Sequence, residues 1–217
     1  MRILVTGNQG YIGTVLTDIL KKKNYEVIGY DIGFFEQCNL NKINKDFQQI
    51  NKDIRDVLIE DLKKIDAVIH LSGLSNDPLG EFNKDLTNEI NYKATIKLAK
   101  LSKSAGISRF VYASSQSMYG ISDISNELDE YQSEKNPVTE YAKTKWYAET
   151  ELNKLNSQDF SVVSFRPSTV FGVSPRLRCD IVFNNFVACA YTTGKIEISI
   201  HSVEILSSAK ELPIPVF

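Results

Sequence analysis

Short apolar runs alternate with longer amphipathic stretches along most of the chain. Five of the runs are bounded by polar or turn residues, as strands buried on both faces of a parallel sheet are. They cover residues 2–5, 26–30, 67–71, 109–113 and 161–165. Between them, apolar positions recur with helical periodicity through residues 12–23, 88–105 and 141–155. The alternation predicts a doubly wound α/β fold, in which helices cover both faces of a parallel sheet.

Turn and capping residues mark where these elements end. Gly106 is suited to end the second helix just before a strand, and Thr139 is a candidate N-cap for the third. Asn and Lys are frequent between residues 39 and 52, which indicates a solvated connection. After about residue 194 the pattern degrades: residues 196–200 are compatible with a strand, whereas residues 204–217 show no coherent element.

Composition narrows the class of protein. The chain has 217 residues and is 42% hydrophobic, enough for one sizeable core, either as one large domain or as a domain plus a fragment. Its formal net charge of −2 argues against nucleic acid or an anionic membrane as a partner, so a small molecule is expected. No apolar run approaches the ~20 residues of a membrane span, and cytoplasmic residence is the default expectation. Three cysteines without a Cys-x-x-Cys pair and two histidines indicate neither a disulfide framework nor a metal site.

A glycine cluster follows the first predicted strand and opens the first predicted helix. Gly7 permits a tight turn, Gly10 lets the backbone approach a pyrophosphate, and Gly13 allows close packing of the helix. Phosphates would then meet the helix N-terminus, where free amides and the helix dipole favour negative charge. The context therefore favours a dinucleotide-binding loop over a plain tight turn.

An aspartate closes the second strand, where a carboxylate can accept hydrogen bonds from both hydroxyls of an adenosine ribose. This residue is Asp31, and no arginine lies between Arg2 and Arg55 to pair with a 2′-phosphate. The pattern favours NAD over NADP. The alternative is a tight turn and a surface aspartate in some other α/β protein.

Tyr141 and Lys145 stand one helical turn apart, so their side chains share a helix face. A nearby cation favours the phenolate of a tyrosine, and such a pair can take or return an alcohol proton while a cofactor moves the hydride. Upstream, Ser114 and Ser115 end a strand and supply hydroxyls. Together with the glycine loop, the pattern predicts a nicotinamide-dependent redox site. The alternatives are a tyrosine and a lysine that only pack and are solvated, and serines that only satisfy their own backbone.

The glycine spacing Gly-x-x-Gly-x-x-Gly, together with Tyr141-x-x-x-Lys145, resembles the extended short-chain dehydrogenase/reductase family, specifically its nucleotide-sugar epimerases and dehydratases. The resemblance covers about residues 1–195 and includes Ala113-Ser114-Ser115-Gln116-Ser117-Met118-Tyr119-Gly120. It implies a Rossmann-like fold, NAD as the cofactor, and Ser115, Tyr141 and Lys145 as the catalytic residues. It makes Ser114 the less favoured of the two serines, and a homodimer is a candidate assembly.

The resemblance also implies two sets of binding residues. The residues expected to hold NAD are Gly7, Gln9, Gly10, Tyr11, Ile12, Gly13, Asp31, Asp53, Ile54, Leu71, Ser72, Gly73, Asn91, Tyr141, Lys145 and Pro167. The residues expected to contact a nucleotide-diphosphate sugar are Ser75, Ser117, Thr169, Arg178, Asn184 and Asn185, with Arg176 nearby. His70 is expected to be a buried hydrogen-bonding group.

The reaction implied by the resemblance is 4-epimerisation with transient hydride transfer to NAD. Dehydratases of the family usually carry an Asp-Glu pair where this chain has Gln116-Ser117. Thr169 replaces an Asn that touches the substrate in many members. A one-way nucleotide-sugar reductase or dehydrogenase, and a non-catalytic NAD-binding remnant, remain alternatives.

The end of the sequence departs from the family pattern. Relatives usually continue for roughly another hundred residues, the size of a small domain. We therefore expect an NAD-binding domain at residues 1–175 and a partial substrate-binding region at 176–217, truncated or frameshifted after about residue 195. The His-Ser-Val at residues 201–203 can be read as Pro-Trp one base over for some codons, and the short form is expected to be catalytically silent.

Overall fold

The structure is a computed structural model that describes residues 1–40, 46–75, 77–121 and 127–197. It falls into two compact units, Met1–Arg178 and Cys179–Phe217. The functional division predicted at residue 175 stays a prediction.

Six parallel strands form the sheet of the first unit, in the order β3-β2-β1-β4-β5-β6. The strands are β1 (Arg2–Thr6), β2 (Glu26–Asp31), β3 (Gln48–Asn51), β4 (Ala67–His70), β5 (Arg109–Ala113) and β6 (Ser161–Phe165). The first three strands build one half and the last three the other, so the direction of winding reverses between β1 and β4. The predicted doubly wound α/β fold is confirmed.

Helices connect the strands and follow the predicted positions closely. The first unit contains α1 (Tyr11–Lys22), α2 (Asp77–Phe82), α3 (Lys84–Asn88), a π-helical turn (Glu89–Lys93), α4 (Ala94–Ser104) and α5 (Glu140–Asn153). Short 3₁₀ turns span Glu36–Cys38, Ile54–Asp56, Ile59–Leu62 and Gln116–Tyr119. The second unit contains α6 (Val182–Thr193).

Both faces of the sheet are covered. On one face, Leu4, Tyr30 and Phe110 pack with α4 and α5 residues such as Leu98 and Leu152. On the other face, a smaller cluster of Ile3, Val5, Val27 and Ala67 packs against Leu16 and Leu20 of α1. Successive strand residues point to opposite faces, which is why consecutive positions in the middle of β1, β4 and β5 are apolar.

Two predictions about the elements need correction. β3 lies within residues 39–52, which were expected to be a solvated connection; it is an edge strand with no fully buried residue, so it shows no apolar run. The helix predicted at 88–105 consists of the π-helical turn (Glu89–Lys93) and α4, and α3, which the periodicity did not predict, precedes it. By contrast, Thr139 caps α5 by accepting from the Ala142 N–H at 3.2 Å, and Gly106 follows α4 with a φ of 80°, as predicted.

The predictions for the last residues lie mostly outside the described part of the chain. α6, which the periodicity did not predict, ends at Gly194 with a φ of 71°. Residues 198–217, where a partial strand and a frameshift are expected, are not among the described residues. Within the described ranges, no helix is both long and apolar enough to span a membrane, and no three His, Cys, Asp or Glu side chains are grouped to hold a metal ion.

Candidate active site

The predicted site residues of the first unit gather at the carboxyl ends of the strands. The loop after β1 carries the glycine cluster, the loop after β4 carries residues 71–75, and the segments after β5 and β6 carry Ser115 and Pro167. In an open parallel sheet this edge is where ligands bind, at the point where the winding reverses.

The glycine loop is packed so tightly that side chains are excluded. Gly7 has a φ of +70°, and a Cβ atom on it would lie 2.7 Å from the Ser72 nitrogen. A Cβ atom on Gly13 would lie 2.1 Å from the Gly7 oxygen. The Gly10 N–H donates to the Gly7 carbonyl at 3.0 Å and closes the turn. These contacts bring the start of α1 directly over the end of β1.

The N-terminus of α1 is not capped by a side chain. Its N-cap is Gly10, which has no side-chain oxygen, and the first turn holds Tyr11 and Ile12 without an acidic residue. Backbone N–H groups in a first helical turn have no preceding helical carbonyl to bind, so they attract anions.

Asp31 holds the neighbouring loop through both carboxylate oxygens. Oδ2 accepts from the Gln9 N–H at 3.2 Å and Oδ1 from the Gly33 N–H at 2.9 Å. An ionised carboxylate has about four acceptor positions, so each oxygen can accept a further hydrogen bond.

Asp53 and Ile54 differ in what they can offer a ligand. Asp53 accepts from the Arg55 backbone at 2.9 Å and from its guanidinium at 2.7 Å, and these hydrogen bonds lower the pKa of Asp53. The Ile54 side chain is buried in the main hydrophobic cluster. A contact between Ile54 and an adenine would therefore involve its backbone, not its side chain.

His70 is fully buried and neutral. Nδ1 lies 2.6 Å from the Thr6 hydroxyl and Nε2 lies 2.8 Å from the Thr95 hydroxyl, which itself donates to the Asn91 carbonyl at 2.8 Å. The network assigns the proton to Nε2, since Thr95 has already used its own hydrogen. Burial, with a smaller contribution from the Lys145 charge, lowers the pKa of His70 to about 3. The expectation of a buried hydrogen-bonding group is confirmed.

Asn91, which lies in the π-helical turn, holds the loop after β4. The Asn91 amide accepts from the Leu74 N–H at 2.7 Å and donates to the Leu74 carbonyl at 3.0 Å. A Cβ atom on Gly73 would lie 3.0 Å from Asn91 Oδ1 and 3.7 Å from Lys145 Nζ. This loop, with Leu71 and Gly73, therefore borders the lysine.

Lys145 is buried and lies on the same face of α5 as Tyr141. Its ammonium donates to the Ala113 carbonyl at 2.8 Å and lies 5.8 Å from the centre of the Tyr141 ring and 4.9 Å from that of Tyr112. Only 4% of Lys145 is exposed, and burial lowers its pKa to about 8. At neutral pH the ammonium is still mostly protonated, so it places a positive charge under the phenol.

The two serines after β5 have different partners. Ser114 donates to Glu149 Oε2 at 2.6 Å and is buried. Ser115 is half-buried; its hydroxyl lies 2.7 Å from the Ser117 hydroxyl and accepts from the Ser117 N–H at 3.2 Å. The hydroxyl of Ser114 is bound to a carboxylate, whereas that of Ser115 is shared only with another hydroxyl and an amide.

An ion pair that the sequence did not reveal lies directly beneath these serines. Arg166, the first residue after β6, donates to Glu149 through Nε at 3.0 Å and through Nη2 at 2.5 Å. Next to it, the Pro167 carbonyl accepts from the Gln116 N–H at 3.2 Å. The one sequence signal was spacing, since Glu149 stands one further turn along the helix face of Tyr141 and Lys145.

The residues predicted to bind the substrate are divided between the two units. Ser75 accepts from Arg178 Nη1 at 3.0 Å, and Thr169 is exposed. Asn184 and Asn185 belong to α6 in the second unit. In the first unit the structure thus joins Ser75 to Arg178 and Ser117 to Ser115.

No arginine lies between Arg2 and Arg55 in the sequence, but the fold brings Arg176 to the loop after β2. Its guanidinium carbon lies 4.6 Å from the centre of the Phe35 ring, four residues after Asp31. The segment containing it is held by bonds from Tyr11 Oη to the Gly172 carbonyl at 2.7 Å and from the Leu40 N–H to the Pro175 carbonyl at 2.8 Å.

Residues 3–208 match the sequence profile described as the NAD dependent epimerase/dehydratase family. The chain belongs to this family. The membership confirms the resemblance seen in the glycine loop and the Tyr141 and Lys145 pair, and the family is NAD-dependent.

Individual relatives differ in the reaction named for them. The chain is 28% identical to UDP-glucuronic acid decarboxylase 1 of Xenopus tropicalis, over 86% of this chain and 45% of the relative. It is 29% identical to dTDP-D-glucose 4,6-dehydratase of Bos taurus, over 89% of this chain and 59% of the relative. The crystal structure of UDP-glucuronic acid 4-epimerase from Bacillus cereus in complex with NAD superposes with a TM-score of 0.72 at 27% identity, covering 88% of this chain and 64% of that one. The chain therefore spans roughly half to two thirds of the length of these relatives.

Proposed function

We propose that the chain carries the NAD-binding half and the proton-transfer residues of a nucleotide-sugar 4-epimerase. The observation on which this rests is the arrangement around α5: the Lys145 ammonium lies buried 5.8 Å from the centre of the Tyr141 ring. Among the described residues, the Ser115 hydroxyl is bonded to Ser117 and to no carboxylate.

The residues at the carboxyl edge of the sheet fit NAD. The glycine loop leaves no room for side chains, the first turn of α1 has no cap, and Asp31 retains acceptor positions. The residues proposed to hold the cofactor are Gly7, Gln9, Gly10, Tyr11, Ile12, Gly13, Asp31, Asp53, Ile54, Leu71, Ser72, Gly73, Asn91, Tyr141, Lys145 and Pro167. Asp31 would repel a 2′-phosphate, which favours NAD over NADP.

The chemistry is divided between cofactor and protein. Bound NAD supplies a reversible acceptor for the hydride on the sugar carbon. Tyr141, as phenolate, takes the proton of the sugar hydroxyl and later returns it, and Ser115 donates a hydrogen bond to the same oxygen. Lys145 favours the phenolate through its charge and is placed to hold the nicotinamide ribose.

The residues that follow Ser115 support epimerisation over dehydration. Removing water from a sugar requires an acid and a base beside the proton acceptor, whereas Gln116 and Ser117 are neutral at all ordinary pH values. The two neutral side chains therefore favour an epimerase over a dehydratase, but they do not separate an epimerase from a one-way reductase or dehydrogenase.

For the substrate we propose a nucleotide-diphosphate sugar, with Ser75, Ser117, Thr169, Arg178, Asn184 and Asn185 as contacts. Guanidinium groups suit phosphate oxygens, and Arg178 is already oriented by Ser75. Cytoplasmic residence and a homodimer complete the proposal.

The test is product analysis with the full-length product of the gene. The protein is incubated with NAD and with UDP-glucose, UDP-glucuronic acid or dTDP-glucose, and the sugars are followed by NMR. We expect interconversion at C4 without net NADH. A dehydrated sugar or released CO₂ would contradict epimerisation, accumulated NADH would indicate a dehydrogenase, and NAD binding without any product would indicate a non-catalytic protein.

A further inference from the structure

The catalytic helix is joined to the end of β5 by two consecutive hydrogen bonds. Lys145 donates to the carbonyl of Ala113, the last residue of β5. Ser114, the next residue, donates to Glu149 at 2.6 Å. Tyr141, Lys145 and Glu149 lie on one helix face. The two bonds therefore fix the position of Tyr141 relative to Ser115, the residue that follows Ser114 in the chain.

Glu149 is unusual in being a nearly inaccessible carboxylate. Only 2% of the residue is exposed, and a buried carboxylate is costly unless it is paired and hydrogen-bonded. Arg166 supplies the pairing with two nitrogens, and Ser114 supplies a further hydrogen bond. The pairing in turn raises the pKa of Arg166.

Arg166 extends the contact to the other side of the serine segment. Its Nη1 donates to the Tyr119 hydroxyl at 2.7 Å and to the Glu130 carbonyl at 2.6 Å. The segment from Ser114 to Tyr119 is therefore attached at both ends to one buried ion pair, and Ser115 lies between the attachments.

We propose that Glu149 and Arg166 are positioning residues that hold the Ser115 hydroxyl in register with Tyr141, by binding Ser114 at one end of the serine segment and Tyr119 at the other. The proposal rests on the proposed function for its catalytic meaning, but its structural content can be measured without turnover. Under this proposal Ser114 binds Glu149 and positions the serine segment, whereas Ser115 contacts the substrate oxygen.

The first experiment compares Ser114→Ala with Ser102→Ala by amide hydrogen exchange. Ser102 is an equally buried serine whose hydroxyl bonds the Leu98 carbonyl at 2.8 Å within α4, so it controls for the loss of a buried hydroxyl. We expect faster exchange in residues 115–119 for Ser114→Ala alone. With substrate, we expect kcat to fall roughly tenfold while KM changes little.

The second experiment separates positioning from stability with the double variant Glu149→Met/Arg166→Met. Replacing both members of a buried ion pair by apolar residues often preserves stability, whereas removing one leaves a buried charge. We expect the double variant to melt like the wild type and still to exchange faster in residues 115–119. Wild-type exchange in this segment for both Ser114→Ala and the double variant would overturn the proposal. Absence of turnover in the full-length gene product would refute the proposed function, and the exchange result would still decide this inference.

Discussion

At the scale of the residue, the site contains buried ionisable groups that differ in what compensates for the cost of burying their charge. Glu149 and Arg166 neutralise one another, while Lys145 has only a carbonyl and two aromatic rings around its charge. Burial lowers the pKa of His70 and keeps its ring neutral, and both ring nitrogens are hydrogen-bonded to threonine hydroxyls. Of these four side chains, Lys145 is the one whose charge has no oppositely charged partner among the described residues, and its ammonium lies 5.8 Å from the centre of the Tyr141 ring.

The proposed proton acceptor can be tested by removing a single oxygen. In the full-length gene product, Tyr141→Phe should abolish turnover and leave NAD affinity largely intact, because the ring and its packing remain. Ser115→Ala should cost on the order of 10²-fold in kcat, since it removes one positioning hydrogen bond. Steady-state kinetics and NAD titration check both, with Tyr147→Phe on an exposed part of the same helix as control. Near-normal turnover by Tyr141→Phe would refute the assignment.

Burial of Lys145 predicts a specific dependence of stability on pH. Its pKa is about 8 in the folded state against an ordinary value of 10.5, so the unfolded chain binds more protons between these values. Stability of the NAD-free protein should therefore rise by about 3 kcal/mol from pH 8 to pH 10.5 on account of this group. Lys145→Met should lack this rise, and Lys143→Met on the same helix should retain it. Denaturant unfolding at a series of pH values measures the difference, and parallel curves for the wild type and Lys145→Met would contradict the account.

At the scale of the element, α5 matters most because it carries Tyr141, Lys145 and Glu149. The side chain of Thr139 caps the N-terminus of this helix. Further along, Lys145 and Glu149 are hydrogen-bonded to Ala113 and Ser114 at the end of β5. The helix is thus fixed at its start and along the face that the site uses.

The cap gives a prediction for this helix. Thr139→Ala should lower the free energy of unfolding by about 1 kcal/mol, because the Ala142 N–H loses its acceptor, and Thr139→Ser should restore most of it. Chemical denaturation measures both changes. Equal stability of the alanine variant and the wild type would show that the cap contributes nothing.

The elements that could be predicted from the sequence are those that leave a pattern of apolar and polar residues within their own stretch of chain. The buried strands gave apolar runs, and the Tyr141 and Lys145 pair followed from helix geometry alone. β3 was missed because an edge strand without a fully buried residue has no such run. The Ser114 to Glu149 bond and the Arg176 to Phe35 contact join residues far apart in the chain, and no local pattern encodes them.

At the scale of the whole molecule, one edge of one sheet assembles the proposed site. Segments after all six strands contribute residues to it, and the two ends of the dinucleotide would lie on opposite sides of the point where the winding reverses. The chain spans only 45% to 64% of the length of the relatives compared. That the described loops bind the cofactor stays a proposal.

The most direct test of the account is calorimetric titration of the chain with NAD and with NADP. The account predicts that NAD binds more tightly, because Asp31 accepts ribose hydroxyls and repels a 2′-phosphate, and that Asp31→Ala loses this preference. Tighter binding of NADP by the wild type, or no binding of either cofactor, would contradict it.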